Sequence, residues 1–231
     1  MLNFDQIRLI TFDCYGTLID WETGILDTFR PILSTHGAHL SDSEILRLYG
    51  EIEAEEESGE YRQYKDVLRA VVRSFGGRMG FTPSNQEQQS LPDSLPDWKP
   101  FPDTVAALRR LKRKFQLGII SNIDDDLFSA TAPKLEVDFD FVVTATQARA
   151  YKPSHRVFEL AQSRMPIAPQ QWLHAAQSVY HDVVPGKTLG LSTVWVNRPS
   201  RYPNVGAVKS ATAKPDLEVS SLGALADLTT Y

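Results

Sequence analysis

The chain has 231 residues, of which 42% are hydrophobic and 23% are charged, and this composition is that of a globular protein and excludes a disordered chain. Its net charge of -5 excludes a strongly basic surface, so we expect no nucleic-acid partner. No stretch approaches the roughly 18 apolar residues of a membrane span, so we expect no membrane partner. The single cysteine, Cys14, excludes an internal disulfide, and the first residues lack the pattern of a signal peptide, which together predict a cytoplasmic protein.

The first predicted element is a short apolar strand over residues 7–12, which ends abruptly at Asp13 and the turn-forming sequence Tyr15-Gly16-Thr17. From Trp21 onward the apolar residues recur at helical spacing, which predicts about three consecutive helices with no strand between them. Residues 76–99 are rich in glycine, proline and polar side chains. We interpret them as the return from an insertion.

Beyond residue 99 the predicted helices and strands alternate. The helices cover residues 103–114, 124–132, 154–165 and 182–189, and the strands cover residues 115–121, 139–144, 172–176 and 192–197. Alternation at these lengths predicts βαβ units and a doubly wound, mainly parallel sheet. The predicted fold class is therefore α/β, with a Rossmann-like core of residues 1–19 and 99–231 and an inserted helical cap of residues 20–98.

Reactive side chains follow the predicted strands. Asp13 follows the first, Ser121 and Asn122 end the second, Lys152 lies in the loop after the third, and Asp182 follows the fourth. In an open parallel sheet the carboxyl ends of the strands border the crevice in which ligands bind. The sequence therefore predicts that these side chains converge on one site.

The same residues resemble the motifs of the haloacid dehalogenase superfamily. The four motifs read Asp13-Cys14-Tyr15-Gly16-Thr17, Ser121-Asn122, Lys152-Pro153 and Ser178-Val179-Tyr180-His181-Asp182. The resemblance covers essentially the whole chain, including the cap. It implies a hydrolase in which Asp13 attacks the substrate and forms a covalent ester, Lys152 keeps Asp13 ionised, and Thr17, Ser121 and Asn122 orient it by hydrogen bonding.

Two positions distinguish the chain from the phosphatases of that superfamily. The phosphatases usually have a second Asp where Tyr15 stands and a Mg²⁺-binding carboxylate where Gln177 stands. The sequence Asp-x-Tyr-Gly-Thr instead resembles the type II 2-haloacid dehalogenases. That resemblance implies that Asp13 displaces halide from C2 of an L-2-haloacid, and that Asp182 positions or activates the water that hydrolyses the ester. We expect no cofactor for this reaction, and Mg²⁺ only if the chain is a phosphatase.

The substrate is expected to be a small carboxylic acid that contacts Tyr15, Asn122 and an arginine from the cap. Arg47 is the candidate arginine, although its sequence context fits a solvated helix position equally well. Phe158 replaces a tyrosine that is common in the dehalogenases, and Val179 replaces an asparagine. These departures leave the substrate and its leaving group open.

Three alternatives therefore remain: a Mg²⁺-dependent phosphatase, a catalytically silent binding homologue, and a hydrolase that opens a strained cyclic amino acid. The third rests on a resemblance of the motifs to L-azetidine-2-carboxylate hydrolase. We interpret the acidic residues 51–60 as the exposed side of a cap helix, and His181 as a helix-cap residue rather than a proton shuttle. A homodimer is expected, because closed symmetric dimers are common and dehalogenases of this type are often dimeric.

Overall fold

A computed structural model describes residues 2–165, 167–200 and 211–229. These residues form a six-stranded parallel sheet in the order β3-β2-β1-β4-β5-β6, together with ten α-helices. The strands are β1 (Leu9–Phe12), β2 (Gln116–Ser121), β3 (Phe141–Thr144), β4 (Trp172–Ala176), β5 (Ser192–Val196) and β6 (Leu217–Val219). The helices are α1 (Trp21–Thr35), α2 (Asp42–Glu56), α3 (Tyr64–Met79), α4 (Asn85–Ser94), α5 (Thr104–Lys112), α6 (Asp125–Thr131), α7 (Ala145–Ala148), α8 (His155–Arg164), α9 (Val184–Thr188) and α10 (Leu222–Leu228). The predicted α/β fold class is confirmed.

The centre of the sheet determines where the site lies. β1 pairs with β2 on one side and with β4 on the other, and every residue of β1 and β4 is buried. Burial on both faces explains why these strands read as continuous apolar runs rather than as an alternating pattern. The strand order changes direction between β1 and β4, and this switch point leaves a crevice outside their carboxyl ends. Asp13 directly follows β1 and therefore lies at that crevice.

Helices α1 to α4 are inserted between β1 and β2. The prediction of about three helices was incomplete, because α3 continues through Gly76 and Gly77, and α4 follows where we expected a loop. A capping box formed by Ser84 and Glu87 begins α4. A Cβ atom at Gly76 would lie 2.5 Å from Pro83, so glycine allows the segment before α4 to approach α3 closely.

The two connections between the sheet and the inserted helices run side by side. The N–H of Asp20 donates to Lys99 O at 2.8 Å, and the N–H of Phe101 donates to Leu18 O at 3.0 Å. Adjacent connections are what an inserted unit requires. The division at residues 20 and 99 stays a prediction, and residues 1, 166, 201–210, 230 and 231 of the predicted core range lie outside the described residues.

The remaining differences from the predicted elements are local. β1 begins at Leu9, two residues later than predicted. The predicted helix over residues 182–189 is a π-helical turn, Val179–Val183, followed by the short α9. β6 and α10 extend the fold beyond the last predicted element. Over the described ranges, no helix is both long enough and apolar enough to cross a membrane.

Candidate active site

The carboxylate of Asp13 is held through both of its oxygens. Oδ1 accepts a hydrogen bond from Lys152 Nζ at 2.9 Å, and Oδ2 accepts one from Thr17 Oγ1 at 2.9 Å. Gly16, whose φ is 89°, turns the chain so that Thr17 can reach back to Asp13. The backbone N–H of Gln177 donates to Thr17 Oγ1 at 2.9 Å, which directs the hydroxyl proton of Thr17 towards Asp13.

Lys152 lies between two carboxylates. Its Nζ donates to Asp13 Oδ1 at 2.9 Å, to Ile120 O at 3.0 Å and to Asp182 Oδ1 at 2.6 Å. Burial lowers the pKa of Lys152, but the two carboxylates raise it by more, so the pKa lies above its ordinary value. Lys152 is therefore charged, and all three of its N–H donors are engaged.

Asp182 is fully buried, and only one of its two carboxylate oxygens accepts hydrogen bonds from the described residues. Oδ1 accepts hydrogen bonds from Lys152 and, at 2.9 Å, from His174 Nε2, whereas Oδ2 has no hydrogen-bond partner among the described residues. Burial raises the pKa of Asp182, but Lys152 and His174 bring it down to about 2. Asp182 is therefore ionised at neutral pH, with one oxygen left to accept a proton.

The net shift of the pKa is in the opposite direction for Asp13. Burial raises the pKa of this carboxyl group, the charge of Lys152 lowers it, and the charge of Asp182 raises it again. The resulting pKa lies above the ordinary value of 3.8. The two carboxyl groups that share Lys152 therefore differ in acidity, and Asp13 is the more basic of the two.

Behind Asp182 lies a hydrogen-bonded chain that the sequence analysis did not predict. Trp172 Nε1 donates to Thr11 Oγ1 at 2.7 Å, and Thr11 Oγ1 lies 2.7 Å from His174 Nδ1. Because an indole N–H can only donate, Thr11 directs its own proton to Nδ1, and Nε2 of His174 carries the proton that is donated to Asp182. The sequence contained one indication of this chain, since Thr11 and His174 are polar residues in buried strands. In the structure the two residues are directly paired between β1 and β4.

Ser121 and Asn122 line the cavity. The predicted hydrogen bonds from these two residues to the Asp13 carboxylate are not formed, because its hydrogen-bond partners among the described residues are Lys152 and Thr17. Asn122 Oδ1 accepts from the N–H of Lys152 at 2.7 Å, and its Nδ2 donates to Lys152 O at 3.2 Å. Asn122 therefore positions the loop that carries Lys152. Ser121 is 1% exposed and lines the cavity in front of Asp13.

That cavity has a volume of about 70 Å³, which corresponds to roughly five water positions and fits only a small ligand. Its lining residues come from both the sheet and the inserted helices: Asp13, Tyr15, Trp21, Glu53, Glu57, Tyr64, Ser121, Asn122, Lys152, Gln177, Ser178, His181 and Asp182. Tyr15 forms part of the wall, but its hydroxyl group is 2.8 Å from Thr131 Oγ1, which makes its ring the surface available to a ligand.

Arg47 does not reach the cavity. Its side chain is 55% exposed and forms an ion pair with Glu51 at 2.7 Å, so the proposed contact with a substrate carboxylate is corrected. The interpretation of residues 51–60 as the exposed side of a cap helix is wrong for Glu53 and Glu57, which line the cavity. The two glutamates are four residues apart and therefore share one side of the helix end.

Two further residues bear on the predicted chemistry. His181 lines the cavity, and burial lowers its pKa to about 4, so its ring is uncharged at neutral pH. Its backbone N–H donates to Ser178 Oγ at 3.0 Å, so Ser178 is the residue that caps this turn. Phe158 packs the edge of its ring against His174, with 5.1 Å between the ring centroids. Within the described part of the chain, no group of three or more His, Cys, Asp or Glu residues is arranged to bind a metal ion.

Residues 7–175 match the family model described as haloacid dehalogenase-like hydrolase. The chain belongs to this hydrolase family. An (S)-2-haloacid dehalogenase from Pseudomonas fluorescens is 26% identical over 230 residues, which cover 96% of each chain. The L-2-haloacid dehalogenase from Xanthobacter autotrophicus, solved with chloropropionic acid covalently bound, superposes with a TM-score of 0.79 at 21% identity and covers 96% of this chain and 98% of that one. The resemblance predicted from the motifs is confirmed, and so is the assignment as a hydrolase.

Proposed function

We propose that this hydrolase cleaves a carbon–halogen bond at C2 of a short carboxylic acid, with Asp13 as the nucleophile. The observation that carries the proposal is the arrangement of two carboxylates around one ammonium: Lys152 Nζ is 2.9 Å from Asp13 Oδ1 and 2.6 Å from Asp182 Oδ1. The names of the relatives, which are dehalogenases of 2-haloacids, support the choice of bond.

The first step is a displacement at carbon. An oxygen of the Asp13 carboxylate attacks C2, and the new C–O bond forms as the carbon–halogen bond breaks and the halide leaves with the bonding electrons. A halide leaves without being protonated, so the step needs no acid at Tyr15. The small cavity supports this step by limiting the orientations of the substrate in front of Asp13.

The second step hydrolyses the ester. Water attacks the carbonyl carbon of the Asp13 ester, and Asp182 Oδ2, the oxygen without a partner, accepts its proton. Collapse of the tetrahedral intermediate breaks the bond between the carbonyl carbon and the substrate oxygen, and Asp182 returns the proton to that oxygen, which releases the 2-hydroxy acid. The regenerated Asp13 carboxyl group then loses its proton to solvent. Lys152 stabilises the negative charge that develops on the Asp13 oxygen, because its Nζ already donates to that oxygen.

The proposed reaction uses no metal ion. Tyr15 and Gln177 occupy the positions at which phosphatases of this superfamily have carboxylates, and a neutral amide or a phenol is a poor ligand for a hard dication. Lys152 supplies the positive charge next to the nucleophile instead. A cytoplasmic location and a homodimer stay predictions.

The test is a substrate panel of L-2-chloropropionate, other short haloacids and p-nitrophenyl phosphate, each assayed with EDTA and with Mg²⁺. We expect halide release in EDTA and a covalent adduct on Asp13 by mass spectrometry. Asp13→Asn should lower turnover by about 10³-fold or more, because the nucleophile is removed, while Asp27→Asn, on an exposed side chain, should not. Release of phosphate only with Mg²⁺ would support a phosphatase, and a protein that forms no adduct with any substrate would be a binding homologue.

A further inference from the structure

The wall of the cavity that the inserted helices provide carries two carboxyl groups. Tyr49 OH donates to Glu53 Oε1 at 2.7 Å, and Tyr64 OH donates to the same oxygen. Glu57 lies beside Glu53 and also lines the cavity. The two tyrosines thus hold Glu53 in place at the cavity, and Glu57 lies next to it on the same wall.

The charges of the cavity do not suit an anion. Asp13, Asp182 and the two glutamates supply four carboxyl groups, and Lys152 is the only Lys or Arg among the described residues that line the cavity. All three N–H donors of Lys152 already bind Asp13, Ile120 and Asp182. A simple haloacid anion therefore finds no free ammonium or guanidinium group here, and any of the four carboxyl groups that is ionised disfavours it.

An independent observation points to a donor-bearing ligand. Asp182 is fully buried, it lines the same cavity, and its Oδ2 has no hydrogen-bond partner among the described residues. A buried acceptor without a partner is unfavourable and is satisfied when a donor reaches it. In the hydrolysis step that donor is the attacking water, so Oδ2 indicates a cavity that favours donors over a further anion and is not itself the partner of the ammonium group. An ammonium group has three donors and no acceptor, and the neighbouring rings of Trp21 and Tyr64 add surfaces that favour a cation.

We infer that the wall formed by Glu53 and Glu57 binds an ammonium group of the substrate, so that the preferred substrates are short 2-substituted acids that also carry a protonated amine. This inference rests on the proposed function. The displacement itself is unchanged: Asp13 attacks C2, the halide leaves with the bonding electrons, and the ammonium group takes no part in bond breaking.

The protonation of the two glutamates provides a second observable. Burial and the nearby Glu53 carboxylate raise the pKa of Glu57 well above its usual range, and burial raises the pKa of Glu53. A bound ammonium group favours the ionised form of both, so it lowers these pKa values. Binding of an ammonium compound should therefore release protons.

The decisive comparison uses two isosteric substrates, 2-chloro-3-aminopropionate and 2-chlorobutyrate, which differ by an ammonium group in place of a methyl group. We expect kcat/KM to be at least about tenfold higher for the aminated acid, since a buried ammonium–carboxylate contact is charge-assisted. Glu57→Gln should remove this preference, so that the ratio of kcat/KM for the aminated acid to kcat/KM for 2-chlorobutyrate falls to about one. Glu55→Gln is the matched control, because Glu55 is on α2, is 64% exposed and pairs with Arg78.

A binding measurement separates this inference from the proposed function. Titration calorimetry with ethylammonium, in two buffers of different ionisation enthalpy, should show binding with proton release that Glu57→Gln weakens about tenfold or more, whereas propionate should bind more weakly than ethylammonium. Halide release from both acids without preference, together with no ethylammonium binding, would overturn the ammonium site and leave the dehalogenase proposal. Ethylammonium binding without halide release from either acid would support the site and overturn the dehalogenase proposal.

Discussion

At the scale of single residues, the site depends on how one ammonium is shared between two carboxylates. The pKa of Asp182 is brought down to about 2, whereas that of Asp13 is raised above its ordinary value. Asp182 therefore remains ionised at neutral pH. In the proposed reaction, the acid that controls the first step is therefore Asp13, which must be ionised in order to attack.

The pH dependence of the first step follows from this difference. Because protonated Asp13 cannot attack, kcat/KM should fall with decreasing pH through a pKa above 3.8, the ordinary Asp value. Asp182→Asn removes a negative charge that raises the pKa of Asp13, so the acid limb should move to lower pH. The measurement is the pH profile of the halide burst, which reports ester formation even when hydrolysis is slow. A limb that moves to higher pH in this variant would contradict the electrostatic assignment.

His174 provides a second prediction at this scale. It donates to Asp182 Oδ1 and leaves Oδ2 free, so His174→Leu should slow hydrolysis of the ester by about 10- to 100-fold, as expected for the loss of a hydrogen bond to a charged group. His174→Gln, which keeps an N–H donor, should recover part of the rate. The readout is the amount of ester on Asp13 at steady state, which should increase in His174→Leu. An unchanged ester level with reduced stability alone would indicate a purely structural role.

At the scale of secondary-structure elements, the contact between α3 and the segment before α4 depends on a glycine. Gly76 is buried, and a Cβ atom there would lie 2.5 Å from Pro83 and 2.9 Å from the carbonyl oxygen of Phe81. Gly77 is exposed and has no atom within 4 Å of the corresponding position. The two adjacent glycines therefore form a matched pair.

We expect Gly76→Ala to destabilise the protein by about 1–3 kcal/mol, the range found for overpacking of a close contact. Gly77→Ala should instead stabilise it by up to about 1 kcal/mol, because alanine is the better helix former. Denaturant unfolding of the two variants measures both effects. Equal destabilisation would show that the glycines act through the helix itself rather than through the approach of Pro83.

At the scale of the whole molecule, a residue that follows β2 of the sheet caps the N-terminus of α3, one of the inserted helices. This contact attaches the inserted helices to the sheet. Gln63, at the N-cap of α3, makes no side-chain cap hydrogen bond. Instead, Asp124 Oδ1 accepts from the N–H of Tyr64, and Asp124 Oδ2 accepts from the N–H of Lys65, both at 2.9 Å. A carboxylate at this helix end is also favourable to the helix dipole. Asp124 therefore stabilises the arrangement in which the cavity is covered.

Asp124→Ala should lower stability by about 1–2 kcal/mol, as for the loss of an N-cap, and it should raise KM because the cavity is covered less often. Hydrogen exchange should accelerate at the backbone amides of Tyr64 and Lys65. Asp126→Ala, which removes only the exposed ion pair with Lys65, is the control and should have little effect on either quantity. Unchanged exchange at these amides in Asp124→Ala would contradict the assignment.

The sequence by itself determined the parallel sheet, the insertion after β1 and the residues at the strand ends, because hydrophobic periodicity and motif spacing are local properties of the chain. Only the tertiary structure decided that α2 turns Glu53 and Glu57 towards the cavity and Arg47 towards solvent. Residues 42–56 contain polar residues on more than one side, so their sequence does not show which side packs against the core. The same holds for His174, whose role follows from its pairing with Thr11 across two strands that are 163 residues apart at that point. Long-range packing determines the orientation of a helix and the neighbours of a strand, and it is this packing that brings the two glutamates to the cavity.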